Sequence, residues 1–347
     1  MALWLVRGGK QGEHEERFFS TNRIFLTWDN LGTTDLESAK TYDDIRAMAT
    51  KLMPGSSSRR IGNTAGQWWA FTLGMKPGDL VIMPRKHKAM FALAEVAGPL
   101  HYDKDAEVFY WHSRSVNWLI KDLPRASFDQ DLLYSLGAIM TICEIKRNDA
   151  EKRVREVVKS GFKQESGKPA KPSVEDRQDE ETAGAVNLEE MARDQIARAI
   201  IMKFKGHGMA QLVEAVLVAQ GYKTYISPPG PDKGVDILAA PGSLGFGSPR
   251  ICVQVKSSES PVDSPTLNQL IGSMQNVQAD QGLLVSWGGF KISVEQQRAA
   301  QFFKVRLWNQ EDLIDEIQKN YDKLDPNLRA ELPLKQIWTL AGQDDGE

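Results

Sequence analysis

The chain has 347 residues, 41% of them hydrophobic and 26% charged, enough for two globular domains with cores of their own. A formal net charge of -3 and a pI near 6.1 exclude a uniformly basic binder, so any nucleic-acid surface has to be local. Cys143 and Cys252 stand far from each other and from histidines at ligand spacing, which excludes a disulfide framework and a zinc-finger pattern.

In chain order, the opening MALWLVRGGKQGEHEE has no apolar leader core, and no later run reaches the roughly 18 apolar residues of a membrane span. The expectation is a cytoplasmic chain. Short apolar runs then alternate with turn residues: FLTW, KPGDLVIMPRK, AMFALAEVAGPL, VNWLI and GAIMTICEI. Runs of this length and spacing predict a β-rich domain over residues 1–150, a small barrel or curled sheet with a few helices. It also holds Trp4, Trp28, Trp68, Trp69, Trp111 and Trp118 of the nine tryptophans in the chain. Tryptophan fills cores, and it also stacks on nucleobases.

From 151 to 185 the apolar spacing disappears into Lys, Glu, Asp, Gly and Pro, which reads as a linker. Residues 186–340 return to regular patterns. NLEEMARDQIARAIIMKFK has helical spacing, and MAQLVEAVLVAQG puts Met209, Leu212, Val213, Val216 and Leu217 on one helix face with Gly221 as the stop. Strands GVDILAA and ICVQVK follow, then a helix from 264 to about 279, the strand GLLVSW, a helix near Ser293, the strand VRLW and a helix from 310 to 321. This alternation predicts an α/β domain.

The chemistry concentrates in GVDILAAPGSLGFGSPRICVQVKSS. Period-two alternation puts Ile251, Val253 and Val255 on one side of a strand and Cys252, Gln254 and Lys256 on the other, the side expected to meet water or do chemistry. A turn through Gly242, Gly245 and Gly247 returns this strand antiparallel to the one carrying Asp236. A carboxylate, an amide and an ammonium then meet at one sheet end. That set suits phosphodiester hydrolysis, in which a carboxylate holds Mg2+ and a lysine offsets charge on the phosphoryl oxygens.

GPDKGVDIL followed by VQVKSS resembles the Mrr-like branch of the PD-(D/E)XK nucleases, in which glutamine replaces the acid of the last motif. The likeness runs from about 205 to 317, through the helix GHGMAQLVEAVLVAQGY before the strands and LNQLIGSMQNVQADQGLLVSWGGF after them. It implies a mixed sheet flanked by helices and Mg2+ as cofactor. Asp236 would be the metal carboxylate, Gln254 the residue at the acidic position, Lys256 the catalytic lysine, and the Val255 carbonyl a further metal ligand. The helix glutamate often found in this family falls on Ala210, and Glu214, one turn later, is the candidate replacement. Asp232 reads as a turn-former more readily than as a site residue, and Gln269 on the following helix could reach the site or be exposed, with exposure the favoured reading.

The order GQWWAFTLGMKPGDLVIMPRKHKAMFALAEVAGPL, HSRSVNWLIKDLP, GAIMTICEI resembles the PUA-like superfamily, especially its EVE and YTH-like branch. That likeness implies a reader that holds a flipped, modified base in an aromatic cage. Trp28, Asn30, Trp68 and Trp69 are the pocket candidates, with Trp111 and Trp118 next, and Arg85, Lys86 and Lys88 form a phosphate-facing edge. The two halves together imply a type IV, modification-dependent restriction endonuclease acting on double-stranded DNA with modified bases, modified cytosine foremost. One site cuts one strand, so a homodimer is expected during cutting. A repair or DNA-processing nuclease is the first alternative. A non-catalytic nucleic-acid-binding protein with an inactive nuclease fold, suggested by Ala210, is the second.

Overall fold

Alternating burial along short apolar runs builds the first half of the molecule. In the computed structural model, residues 1–28, 31–86, 88–160, 187–228 and 234–338 are described. They fall into two units, one reaching Met191 and the other spanning Ala192–Trp338.

In the first unit the elements are β1 (Leu3–Val6), α1 (Glu15–Thr21), β2 (Arg23–Phe25), α2 (Tyr42–Leu52), α3 (Ser58–Trp69), β3 (Leu80–Pro84), β4 (Met90–Tyr102), β5 (His112–Pro124), α4 (Gln130–Leu136), β6 (Ile142–Glu144) and α5 (Ala150–Lys159). The strands form one sheet in the order β2-β5-β4-β3-β1-β6, with β1 parallel to β3 and antiparallel to β6. β1 was not among the expected strands. Its four residues are all buried, because a strand at the middle of a sheet covered on both faces is continuously apolar rather than alternating.

The period of two sorts the side chains between two cores. Trp4, Val6, Val81, Met83, Ala92 and Ala94 pack with Phe18, Ile45, Ala65, Trp68 and Phe71 from the helical side. Leu3, Leu5, Leu80, Ile82, Phe91 and Leu93 pack with Leu132, Leu136, Ala150 and Val154 on the other. Val154 lies in α5 and is fully buried, so the expected linker at 151–185 begins inside a packed helix. Its three valines, Val154, Val157 and Val158, are easily lost among their charged neighbours. The remainder of the expected linker, from 161 on, lies outside the described residues.

The second core is built from α6 (Leu188–Phe204), α7 (His207–Ala219), β7 (Lys223–Ile226), β8 (Ile237–Ala240), β9 (Ile251–Lys256), α8 (Ser264–Asn276), β10 (Gln281–Ser286), α9 (Ile292–Glu295), β11 (Val305–Trp308), α10 (Gln310–Asn320) and α11 (Pro326–Glu331). The strand order is β11-β10-β9-β8-β7, parallel from β9 to β11 and antiparallel from β7 to β9. This is the expected mixed sheet flanked by helices. α7 stops at Gly221, whose φ of +96° suits a residue without Cβ.

One face of this sheet is covered by Ile200, Phe204, Leu212, Val213, Val216, Leu313 and Ile317, which meet Val253. The other is covered by Leu267, Leu270 and Met274 of α8, which meet Cys252, Leu284 and Leu307. The Cys252 side of β9 is therefore roofed by α8 instead of facing water. Strict alternation in a central strand distinguishes two faces, but it does not tell which one is wet.

Candidate active site

Asp236 precedes β8 by one residue, where the chain crosses from β7 towards β9. Its N–H donates to the Val253 carbonyl at 2.9 Å, its carbonyl accepts from Ser227 N–H at 2.8 Å, and its Oδ2 accepts from Val255 N–H at 2.7 Å. These bonds fix the carboxylate on the backbone between Gln254 and Lys256, the two residues flanking Val255. Lys256 ends β9 half-buried, and its carbonyl accepts from Trp287 N–H at 2.9 Å. The start of β8 and the end of β9 thus bring Asp236, Gln254, Val255 and Lys256 to one end of the sheet. Burial pushes the neighbouring Cys252 thiol up to about 11, and the Asp236 charge adds to that shift. The thiol stays protonated at neutral pH and acts as core.

Gln254 is fully buried, and among the described residues neither its Oε1 nor its Nε2 has a hydrogen-bond partner. A primary amide buried without partners costs on the order of 2–7 kcal/mol relative to water. Gly234 lies beside it with φ +84°. A Cβ at that glycine would sit 2.9 Å from Gln254 Nε2 and 2.8 Å from Gln269 Nε2. Gln269 is exposed along its stem as expected, yet its amide head reaches this glycine. The sequence signal for it was present in the glycine two residues before Asp236, where crowding by two amides leaves no space for a side chain.

Glu214 has a partner of its own. Its carboxylate accepts from Thr224 Oγ1 at 2.8 Å, and Thr224 pairs with Ala239, three residues along from Asp236 and so roughly 10 Å up the strand. Among the described residues no group of three His, Cys, Asp or Glu side chains is placed to hold a metal. Ala210 is buried against the sheet. Asp232 lies outside the described residues, as does Asn30.

The tryptophans of the N-terminal unit divide by helical geometry. Trp68 and Trp69 lie on α3, where the 3.6-residue period buries Trp68 beside Thr64 and Ala65, with Trp68 at 0% exposure, and leaves Trp69 38% exposed. No base can stack on Trp68, which is a core residue. Trp28 is half-buried against that core, Trp111 is buried, and Trp118 packs on Phe19 with ring centroids 4.7 Å apart.

The expected phosphate edge is also reduced. Arg85 Nε donates to Glu15 at 2.8 Å, its Nη1 donates to the Lys121 carbonyl at 2.7 Å and to Asp122 at 2.8 Å, and its guanidinium lies 4.6 Å over the Phe19 ring. That side chain is committed to the fold. Lys88 Nζ lies 4.0 Å from Asp122, whereas Lys86 is exposed.

Residues 201–317 match a family model described as "Restriction endonuclease". The second half of the chain carries a restriction endonuclease domain. Residues 4–144 match a second family model, described as a domain of unknown function, DUF8426. Two solved structures are similar at low identity. One is "DNA modification-dependent restriction endonuclease AspBHI", at 16% identity over 81% of this chain and 76% of that one, with a TM-score of 0.33. The other is "MspJI Restriction Endonuclease in Complex with 27-mer Oligonucleotide", at 15% identity over 90% of this chain and 73% of that one, also with a TM-score of 0.33. No curated protein matches the chain. Among the described residues, no helix is long and apolar enough to cross a membrane.

Proposed function

We propose that the protein is a Mg2+-dependent, modification-dependent restriction endonuclease that hydrolyses phosphodiester bonds in double-stranded DNA carrying modified bases, modified cytosine foremost. The observation that carries this reading is the buried Gln254 amide, unpartnered among the described residues, beside a carboxylate held by the Val255 N–H. An amide with both polar atoms unbonded, at a net cost to stability, calls for an explanation, and a ligand that satisfies its oxygen is one.

Asp236, Gln254 and the Val255 carbonyl offer hard oxygen donors of the kind Mg2+ takes, with water and phosphate oxygens completing its shell. Bound there, the ion would polarise the phosphodiester and make water a better nucleophile. Asp236 supplies the only charged ligand of the set, and its Val255 N–H bond prevents the carboxylate from swinging away. Lys256, one residue further along β9, places an ammonium at the same end to offset charge on the phosphoryl oxygens. Glu214 is left out of this proposal because Thr224 holds it.

For base reading we retain the PUA-like assignment of the N-terminal unit, with Trp28 and Trp69 as the aromatic candidates and Lys86 as the phosphate contact. A homodimer, each copy cutting one strand, accounts for double-strand cleavage. The test is digestion of matched plasmids differing only in cytosine modification, with Mg2+, by the wild-type chain and by Asp236→Ala and Lys256→Ala. Cutting of the modified plasmid alone, reduced at least a thousandfold in both variants, is expected. Equal cutting of both plasmids would favour a repair or processing nuclease, and no cutting of either would favour the inactive binding protein.

A further inference from the structure

A glutamine where a nuclease usually has an acid poses an orientation problem. A carboxylate presents oxygen whichever way it turns, but an amide presents an oxygen on one side and an NH2 on the other. Only the oxygen can face a cation. Some neighbour must therefore hold the nitrogen, and Gln254 is fully buried, away from bulk water.

The two amides converge on one point. Gln254 Nε2 and Gln269 Nε2 lie 2.9 and 2.8 Å from where a Gly234 Cβ would stand, and Gly234 itself is buried. α8 is anchored over this face of β9 by Leu267 and Leu270, which pack against Cys252, so the helix that bears Gln269 is fixed with respect to Gln254. The Gln254 nitrogen is the amide atom that reaches Gly234, where the Gln269 amide also arrives, and among the described residues it has no acceptor. Gln269 is exposed and its terminal torsion is broad and two-fold, so a half-turn exchanges its nitrogen for its oxygen at the same place.

We propose that Gln269 is a positioning residue of the active site: its amide oxygen accepts from Gln254 Nε2 and so turns Gln254 Oε1 towards the cation, with Gly234 providing the space in which the two amides meet. The proposal rests on the nuclease reading of the site. Gln269 touches neither metal nor substrate in this scheme. It acts only by making an amide behave as a carboxylate would.

The test is Mn2+ binding to the full-length chain, read as free ion by electron paramagnetic resonance, for wild type, Gln269→Met, Gln254→Glu and the double variant. Methionine keeps the length and packing of Gln269 and removes the amide. In the Gln254 background, Gln269→Met should weaken Mn2+ binding at least fivefold. In the Gln254→Glu background it should change binding by less than twofold, because a carboxylate needs no orienting. Equal losses in the two backgrounds, no loss in either, or a Gln254→Glu chain that binds no Mn2+ would each overturn the proposal. Asp236→Ala separates the two levels of argument. Undiminished Mn2+ binding by that variant would refute the site itself, whereas its loss together with equal Gln269→Met effects would refute only the positioning role.

Discussion

Each unit buries polar side chains beside its sheet, and Asp79 and Arg114 of the N-terminal unit are satisfied in a way that Gln254 of the C-terminal unit is not. In the N-terminal unit Asp79 accepts from Ala2 N–H, Trp4 Nε1 and Lys76 N–H at 2.9 to 3.0 Å, and these bonds hold its carboxyl below the usual range against the effect of burial. Arg114, 3% exposed, donates to the carbonyls of Phe71, Thr72 and Gly98. Burial pushes its guanidinium down to about 10, which still leaves it charged at neutral pH. In the C-terminal unit Gln254 is as deeply buried, and its side-chain amide has no partner among the described residues. Asp79 and Arg114 explain why the Gly-Asp pair and the long strand β5 are needed for the fold. Gln254 has no such explanation within its own unit, and that separates architecture from site.

The sharpest way to break this comparison is to make both polar groups apolar. Arg114→Met leaves three buried carbonyls without donors, at about 1–3 kcal/mol for each acceptor that stays dry. We expect the N-terminal unit to lose about 3–5 kcal/mol, read by denaturant unfolding with amide exchange assigning the loss to β4 and β5. Retained stability would mean that the guanidinium is dispensable to the fold.

Gln254→Met should do the reverse. It replaces an unpartnered amide with an apolar chain of like length in an apolar setting, so the stability of the C-terminal unit should be unchanged or higher by about 1–2 kcal/mol. Cleavage should fall at least a hundredfold. A destabilised unit would show that Gln254 belongs to the architecture after all, and full activity would remove it from the site.

The same contrast explains what could be read from the sequence. Asp236, Gln254 and Lys256 were legible because strand alternation and a glycine-rich return are local features. The roof that α8 places over Gln254 was not, since nothing within ICVQVK distinguishes a covered polar face from a wet one. Trp68 and Trp69 were both expected in the base pocket, and the fold puts them on a helix whose period buries one and exposes the other. Arg85 looked like a surface cation. Its partners Glu15 and Asp122 lie 70 and 37 residues away, beyond any local pattern. β1 was missed for the same reason, because its partners at 80–82 and 142–144 supply the context that makes LWLV a strand.

The smallest expected effect concerns base reading, where the comparison moves to two neighbouring kinds of tryptophan. Trp68 is sealed in the core, so Trp68→Ala should unfold or loosen the N-terminal unit and weaken every DNA alike, as a cavity of that size costs about 3–5 kcal/mol. Trp28 is half-buried, with its remaining surface open to a stacking partner. Trp28→Ala should leave the fold intact and lower the preference for modified over unmodified duplex by about tenfold, within the roughly 1–3 kcal/mol that one base–aromatic contact contributes. Fluorescence anisotropy with paired oligonucleotides, in the Asp236→Ala background to prevent cutting, reads the ratio directly. An unchanged ratio would take Trp28 out of the pocket and leave Trp69, exposed at the edge of α3, as the aromatic to replace next.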